Sequence, residues 1–121
     1  MSSKKTLILG ASENPARYSY LALNKLLAHG HDVVAIGKKA GRLANIPIQK
    51  GMPPVDDIDT ITLYLNPANQ KNYYEYLLSL NPKRIIFNPG TENEELEMKA
   101  NEKGIKTLHA CTLVMLGTNQ Y

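Results

Sequence analysis

The stretch from Lys5 to Ser19, KTLILGASENPARYS, does most to restrict the fold: a short aliphatic run meets a glycine and then a small, polar loop. Thr6-Leu7-Ile8-Leu9 is continuous rather than alternating, as expected of a strand buried on both faces. A buried strand that ends in a glycine turn and passes into a helix is how a parallel β/α protein begins. The helix start matters for chemistry. Its unpaired N–H groups and partial positive charge let an anion bind without a dedicated side chain, and Gly10 lets the backbone come close. Asn14 with Pro15, or Ser19 after a longer loop, can cap this helix, and Ser19 is favoured.

The rest of the chain repeats the alternation. The first helix carries Leu23, Leu26 and Leu27 toward a sheet and stops at Gly30. Val33 to Ile36 is a second buried strand with Gly37-Lys38-Lys39 as its exit. From Ala40 to Pro54 no period is convincing, so this region reads as loop with at most one short strand. Thr60 to Leu65 is a strand, Asn66-Pro67 opens a helix to about Leu80, and Asn81-Pro82 ends it. Arg84 to Phe87 is the next strand, with Asn88-Pro89-Gly90 as its exit. Thr91 to Glu94 has the spacing of a capping box and opens a helix that ends at Gly104. Ile105 to Leu108 is a last strand. Parallel neighbours need crossovers, and crossovers carry helices. The expected class is therefore a doubly wound α/β domain with a parallel sheet, one domain over residues 1–121.

Composition limits the setting. No apolar run in the 121 residues approaches the ~20 needed to span a bilayer. No signal-type stretch precedes the first strand, and the single cysteine, Cys111, excludes an internal disulfide. A cytoplasmic protein is expected. The net charge of +3 is dispersed, so neither nucleic acid nor a membrane is an expected partner. The apolar residues Leu113, Val114 and Leu116 leave self-association or a protein partner as an alternative.

In an open parallel sheet the strand exits converge on one crevice. The first exit is not the dinucleotide fingerprint, because Ser12 and Pro15 stand where its second and third glycines would be. Ser12, Asn14, Ser19 and Arg17 still supply donors and charge for a phosphate or pyrophosphate. NAD sites place an acid after the second strand, whereas this chain has Gly37-Lys38-Lys39, which welcomes a phosphorylated ribose. Both the 2′-phosphate of NADP and the 3′-phosphate of coenzyme A meet that description.

The order LILGAS-ENPARYS, VVAIGKK, LYLNP, IIFNPG and HACTLVML resembles the small stand-alone bacterial CoA-binding proteins, over nearly the whole chain. These are similar in fold to the amino-terminal, Rossmann-like domain of the succinyl-CoA synthetase α subunit. The resemblance implies a binding module for coenzyme A or a short acyl-CoA. Gly10, Ser12, Asn14, Arg17, Tyr18 and Ser19 would hold the phosphates, and Gly37 and Lys38 would lie by the adenosine phosphate. Asn66, Pro67, Asn88, Pro89 and Gly90 would line the pantetheine side. The chain differs from the family pattern at Ala35-Ile36-Gly37, commonly V-N-P, and at Cys111-Thr112, often Cys-Pro. The synthetase's phosphorylated histidine lies in a later domain absent from this sequence.

Catalysis is not the leading expectation, and no residue is assigned as catalytic. His109 stands two residues before Cys111, so a Cys/His pair for acyl transfer is geometrically available. A small buried role for Cys111, beside Leu113 and Met115, is favoured. His29 and His31 suit a helix end, and no cluster of metal ligands is present. The enzymatic alternatives are an NADP-dependent reductase and a Cys111-dependent acyl transferase.

Overall fold

The computed structural model describes residues 3–121; the leaderless start expected at Met1 and Ser2 lies outside them. β1 (Thr6–Leu9) leads to α1 (Tyr18–Ala28), β2 (Val33–Ile36), β3 (Gly41–Leu43) and β4 (Ile46–Gln49). β5 (Thr60–Leu63) follows, then α2 (Pro67–Gln70), a 3-10 turn (Lys71–Tyr73) and α3 (Tyr74–Ser79). β6 (Arg84–Phe87), α4 (Glu94–Glu102), β7 (Lys106–His109) and α5 (Thr112–Gly117) complete the chain.

The strands form one 7-stranded sheet in the order β3-β4-β2-β1-β5-β6-β7. All pairs are parallel except β3 with β4. The doubly wound α/β class is therefore observed, with β1 at the centre. β1 is apolar on both sides because both sides are covered. Leu7 and Leu9 join Ile61, Leu63, Ile85, Phe87, Leu96 and Ala100 in one core, under α3 and α4. Ile8 joins Leu23, Leu26, Ala35, Ile48 and Leu116 in the other, under α1 and α5.

Several local expectations are corrected. α1 starts at Tyr18 with Arg17 as its N-cap, while Ser19 is buried within the first turn and caps nothing. The residues expected as loop contain the hairpin β3–β4, and Ile48 and Gln49 of β4 extend the sheet beyond β2. The T-x-x-E pattern does not cap α4. Asn93 does, with its Oδ1 accepting the Leu96 N–H at 3.2 Å. Thr91 instead donates its hydroxyl to the Asn88 carbonyl at 2.8 Å. Asn66 and Pro67 do open α2 as cap and first residue, and Gly30 and Gly104 follow their helices with positive φ.

Candidate functional site

The exits of β1, β2 and β5 meet at one end of the sheet. Gly10 has φ +102°, and a Cβ there would stand 2.8 Å from the carbonyl carbon of Tyr64, so glycine is required between two strand exits. The Gly10 and Ala11 N–H groups both donate to the Ile36 carbonyl, at 2.8 and 2.9 Å. Gly37 lies against the first loop in turn: a Cβ on it would stand 2.3 Å from the Ala11 carbonyl oxygen.

The loop from Gly10 to Arg17 is folded by its own side chains. Ser12 Oγ accepts the Asn14 N–H at 3.0 Å, and Asn14 Oδ1 accepts the Ala16 N–H at 3.0 Å. The Arg17 N–H donates to the Asn14 carbonyl at 3.0 Å. Each bond engages one lone pair of its acceptor oxygen. The Ser12 hydroxyl proton and the Asn14 amide remain free to donate, so the loop presents donors outward. α1 adds to this, because no side chain caps it, its first turn carries no acid, and its axis begins at this loop. Among the described residues no backbone carbonyl takes the N–H of Tyr18 or Ser19.

These groups line a cleft of about 820 Å³, together with Arg17, Lys38, Lys39 and one carboxylate, Glu13. The ion pairs among the described residues, Lys83–Asp59 and His109–Glu97, lie elsewhere, so the cations of the cleft are not neutralised by salt bridges. The far wall comes from Tyr64, Leu65, Asn66 and Asn69 on one exit and Pro89, Gly90 and Thr91 on the next. Gln70, fully buried, ties these two exits together through Nε2, which donates to the Leu65 and Thr91 carbonyls at 2.8 and 2.9 Å. A second pocket of about 180 Å³ adjoins the cleft, with Leu9, Ile36, Leu65 and Tyr73 as its apolar walls and Lys38 and Asn69 at its polar edge.

Tyr64 packs against the core under α1 and α5. Its hydroxyl is buried without a hydrogen-bond partner among the described residues, and burial, reinforced by nearby Cys111, pushes its phenol well above the ordinary range. Cys111 is half-buried and is the N-cap of α5. His109 is directed to α4, with Nε2 3.1 Å from Glu97 Oε1 and its ring edge-on to Phe87. The structure thus engages His109 with Glu97 on the opposite face of the sheet from α5.

The sequence profile of the CoA binding domain matches residues 4–117. The chain belongs to the CoA binding domain family. Solved structures share the fold. A crystal structure of an uncharacterized protein is 50% identical with TM-score 0.97, each chain covered over 100%. A hypothetical protein from Pyrococcus horikoshii OT3 is 28% identical with TM-score 0.81, covering 91% of this chain and 79% of that one. The cell-free ID.343 protein from Thermus thermophilus shares the fold at 19% identity and TM-score 0.85, with 98% and 91% covered. No curated protein matches the chain significantly.

In this CoA binding domain the residues singled out by sequence fall into three groups. Gly10, Ser12, Asn14, Arg17, Tyr18, Ser19, Lys38, Asn66, Pro89 and Gly90 line the large cleft. Gly37 lines the small pocket. Pro67 and Asn88 line neither. Asn88 is buried, where Nδ2 donates to Thr62 Oγ1 and the Leu63 carbonyl at 2.7 and 2.9 Å and Oδ1 accepts the Thr112 N–H at 2.8 Å. Sequence reasoning gave no site role to Glu13, Tyr64, Leu65, Asn69, Tyr73 or Thr91. Asn69 carried a usable signal, since it lies three residues after Asn66 and so on the same side of a helix start. Tyr73 carried none, because helical spacing alone assigns it to packing.

Proposed function

We propose that the protein binds coenzyme A, or a short acyl-CoA, as its physiological ligand. One observation carries the reading. The unconsumed donors of Ser12, Asn14 and the α1 amino end share a single cleft with Lys38 and Lys39, in a chain of the CoA binding domain family. The pyrophosphate is assigned to the α1 end, where backbone N–H groups, the helix dipole and Arg17 act together. The adenine ring is assigned to the small apolar pocket beside Ile36, Leu65 and Tyr73. Lys38 borders both cavities and so lies where the 3′-phosphate of the ribose would meet it. Pantetheine then runs along Leu65, Asn66 and the Pro89–Thr91 exit.

The assignment of residues makes binding, rather than turnover, the expected activity. A thiol nucleophile needs a base or a depressed pKa, and the histidine nearest in sequence to Cys111 is occupied with Glu97. No helix among the described residues is long and apolar enough to cross a membrane. Calorimetric titration with CoA, acetyl-CoA, dephospho-CoA, NADP and NAD tests the reading. CoA and acetyl-CoA are expected to bind more tightly than dephospho-CoA, and NAD least. An absence of CoA binding up to millimolar concentration overturns it, as does tighter binding of NADP than of CoA.

A further inference from the structure

Glu13 is out of place in a cleft proposed to take the phosphates of coenzyme A. It is exposed, lies among Arg17, Lys38 and Lys39, and its charge opposes any phosphate brought nearby. Its contacts give it another use. Glu13 Oε2 accepts the N–H of Arg42 at 3.0 Å, across 29 residues of sequence. Its carboxylate also rests on Gly41, where a Cβ would stand 2.5 to 2.8 Å from the carboxylate atoms. Gly41 opens β3, directly after the lysine-bearing turn.

The other end of that turn is held by the same loop. Gly37 is buried against the Ala11 carbonyl, and its own N–H donates to the Gln49 carbonyl at 2.9 Å. Residues 38–40 therefore span two points, Gly37 on Ala11 and Gly41 on Glu13, both held by the first loop, to which the pyrophosphate is assigned above. Lys38 and Lys39 are long, flexible and strongly hydrated, and their charge is useful only if the backbone beneath them is placed.

We propose that Glu13 is a positioning residue: it latches the Gly41–Arg42 end of the β2–β3 turn to the first loop and so sets the distance from Lys38 and Lys39 to the pyrophosphate site. The consequence, which rests on the CoA reading above, is discrimination. The latch favours a ligand that carries a ribose phosphate as well as a diphosphate. A purely repulsive Glu13 would do the reverse, weakening ligands with more phosphate.

The experiment compares wild type with Glu13→Ala, Glu13→Gln, Gly41→Ala and the Glu13→Ala/Gly41→Ala double variant. Glutamine keeps a side-chain oxygen for the Arg42 N–H and loses the charge, whereas alanine at 41 keeps the charge and displaces the carboxylate. In calorimetry, Glu13→Ala and Gly41→Ala are each expected to weaken CoA about fivefold and dephospho-CoA by less than about twofold. The double variant should be no worse than either single one, and Glu13→Gln should retain the wild-type preference. Without ligand, the Arg42 amide should exchange faster, and trypsin should cut sooner after Lys38 and Lys39, in Glu13→Ala and Gly41→Ala but not in Glu13→Gln. Tighter CoA binding by both Glu13 variants, or Arg42 exchange unchanged in Glu13→Ala, overturns the latch. If wild type binds no CoA at all, the reading of the site falls, while amide exchange and proteolysis still decide whether the latch exists.

Discussion

At the scale of single residues, the cleft is built by glycines that admit neighbours and by side chains whose oxygens accept bonds from the loop's own backbone. Gly10 and Gly37 let the exits of β1, β2 and β5 touch, each in a position where a Cβ would collide with backbone. Ser12 and Asn14 turn acceptors inward and leave donors outward. Lys38 is the residue on which ligand choice is expected to turn. It is exposed, so its interaction is screened by water and salt. Lys38→Ala should weaken CoA by about three- to tenfold and dephospho-CoA far less, and the difference should shrink as salt rises. Titration at two ionic strengths checks it; equal losses for the two ligands would remove Lys38 from the phosphate. The lysine pair was legible in the sequence because its position after a strand is a property of local order. Glu13 was not, because its partners Gly41 and Arg42 come from a distant segment.

At the scale of elements, Asn88 joins β5, β6 and α5 through one buried amide. Its place after a strand made it look like a ligand contact. The carbonyl and amide groups it meets are themselves buried, and a buried polar group demands a partner more strongly than a distant ligand does. Asn88→Ala would leave Thr112 N–H and the Leu63 carbonyl without their partner, at a cost of about 2–4 kcal/mol. Chemical denaturation should show this as a lowered midpoint. Asn66→Ala, at an exposed helix cap, should cost only about 1 kcal/mol. If the two variants lose the same stability, Asn88 is not the junction assigned to it. The hairpin β3–β4 escaped sequence reading for a related reason. Its strands are three and four residues long, and Pro47 interrupts the apolar pattern. Proline is accepted there because it pairs only with Arg42 of β3, ahead of the residues that pair with β2. The cap of α4 moved from Thr91 to Asn93 because Asn93 is also held by Gln70 and Tyr74, at 3.0 and 2.8 Å.

At the scale of the whole molecule, the end of the sheet opposite the cleft gathers residues from both ends of the sequence. The Tyr121 hydroxyl lies 2.5 Å from Thr6 Oγ1, its ring stands 4.4 Å from the Arg84 guanidinium and 5.0 Å from the His31 ring, and its carbonyl takes a bond from Lys4 Nζ. His31 Nδ1 accepts the Lys4 N–H at 3.0 Å, which requires that nitrogen to be unprotonated. Burial first, then Lys4, His29 and Arg84, lower the His31 pKa from 6.5, with Asp59 opposing. In the unfolded chain the ring takes up a proton near pH 6.5, whereas the folded ring resists it. The unfolded state therefore binds more protons as pH falls, so this contribution is complete above about pH 7 and is lost progressively below 6.5. Denaturation midpoints between pH 8 and pH 5 should fall more for wild type than for His31→Gln. Parallel curves would show that His31 does not titrate against the fold.

By itself the sequence determined the alternation of strands and helices, the doubly wound class, the family resemblance and the loops that line the cleft. Those features follow from patterns within a few residues: continuous apolar runs, Asn66-Pro67 at a helix start, and glycines after Leu9, His29 and Lys103. Tertiary structure alone decided that the region from Ala40 to Pro54 adds two strands, that Asn88 turns inward, that His109 pairs with Glu97, and that Glu13 reaches Gly41 and Arg42. Each of these depends on which segments are brought side by side, and the hydrogen bonds and steric limits that fix them have no counterpart in local sequence order.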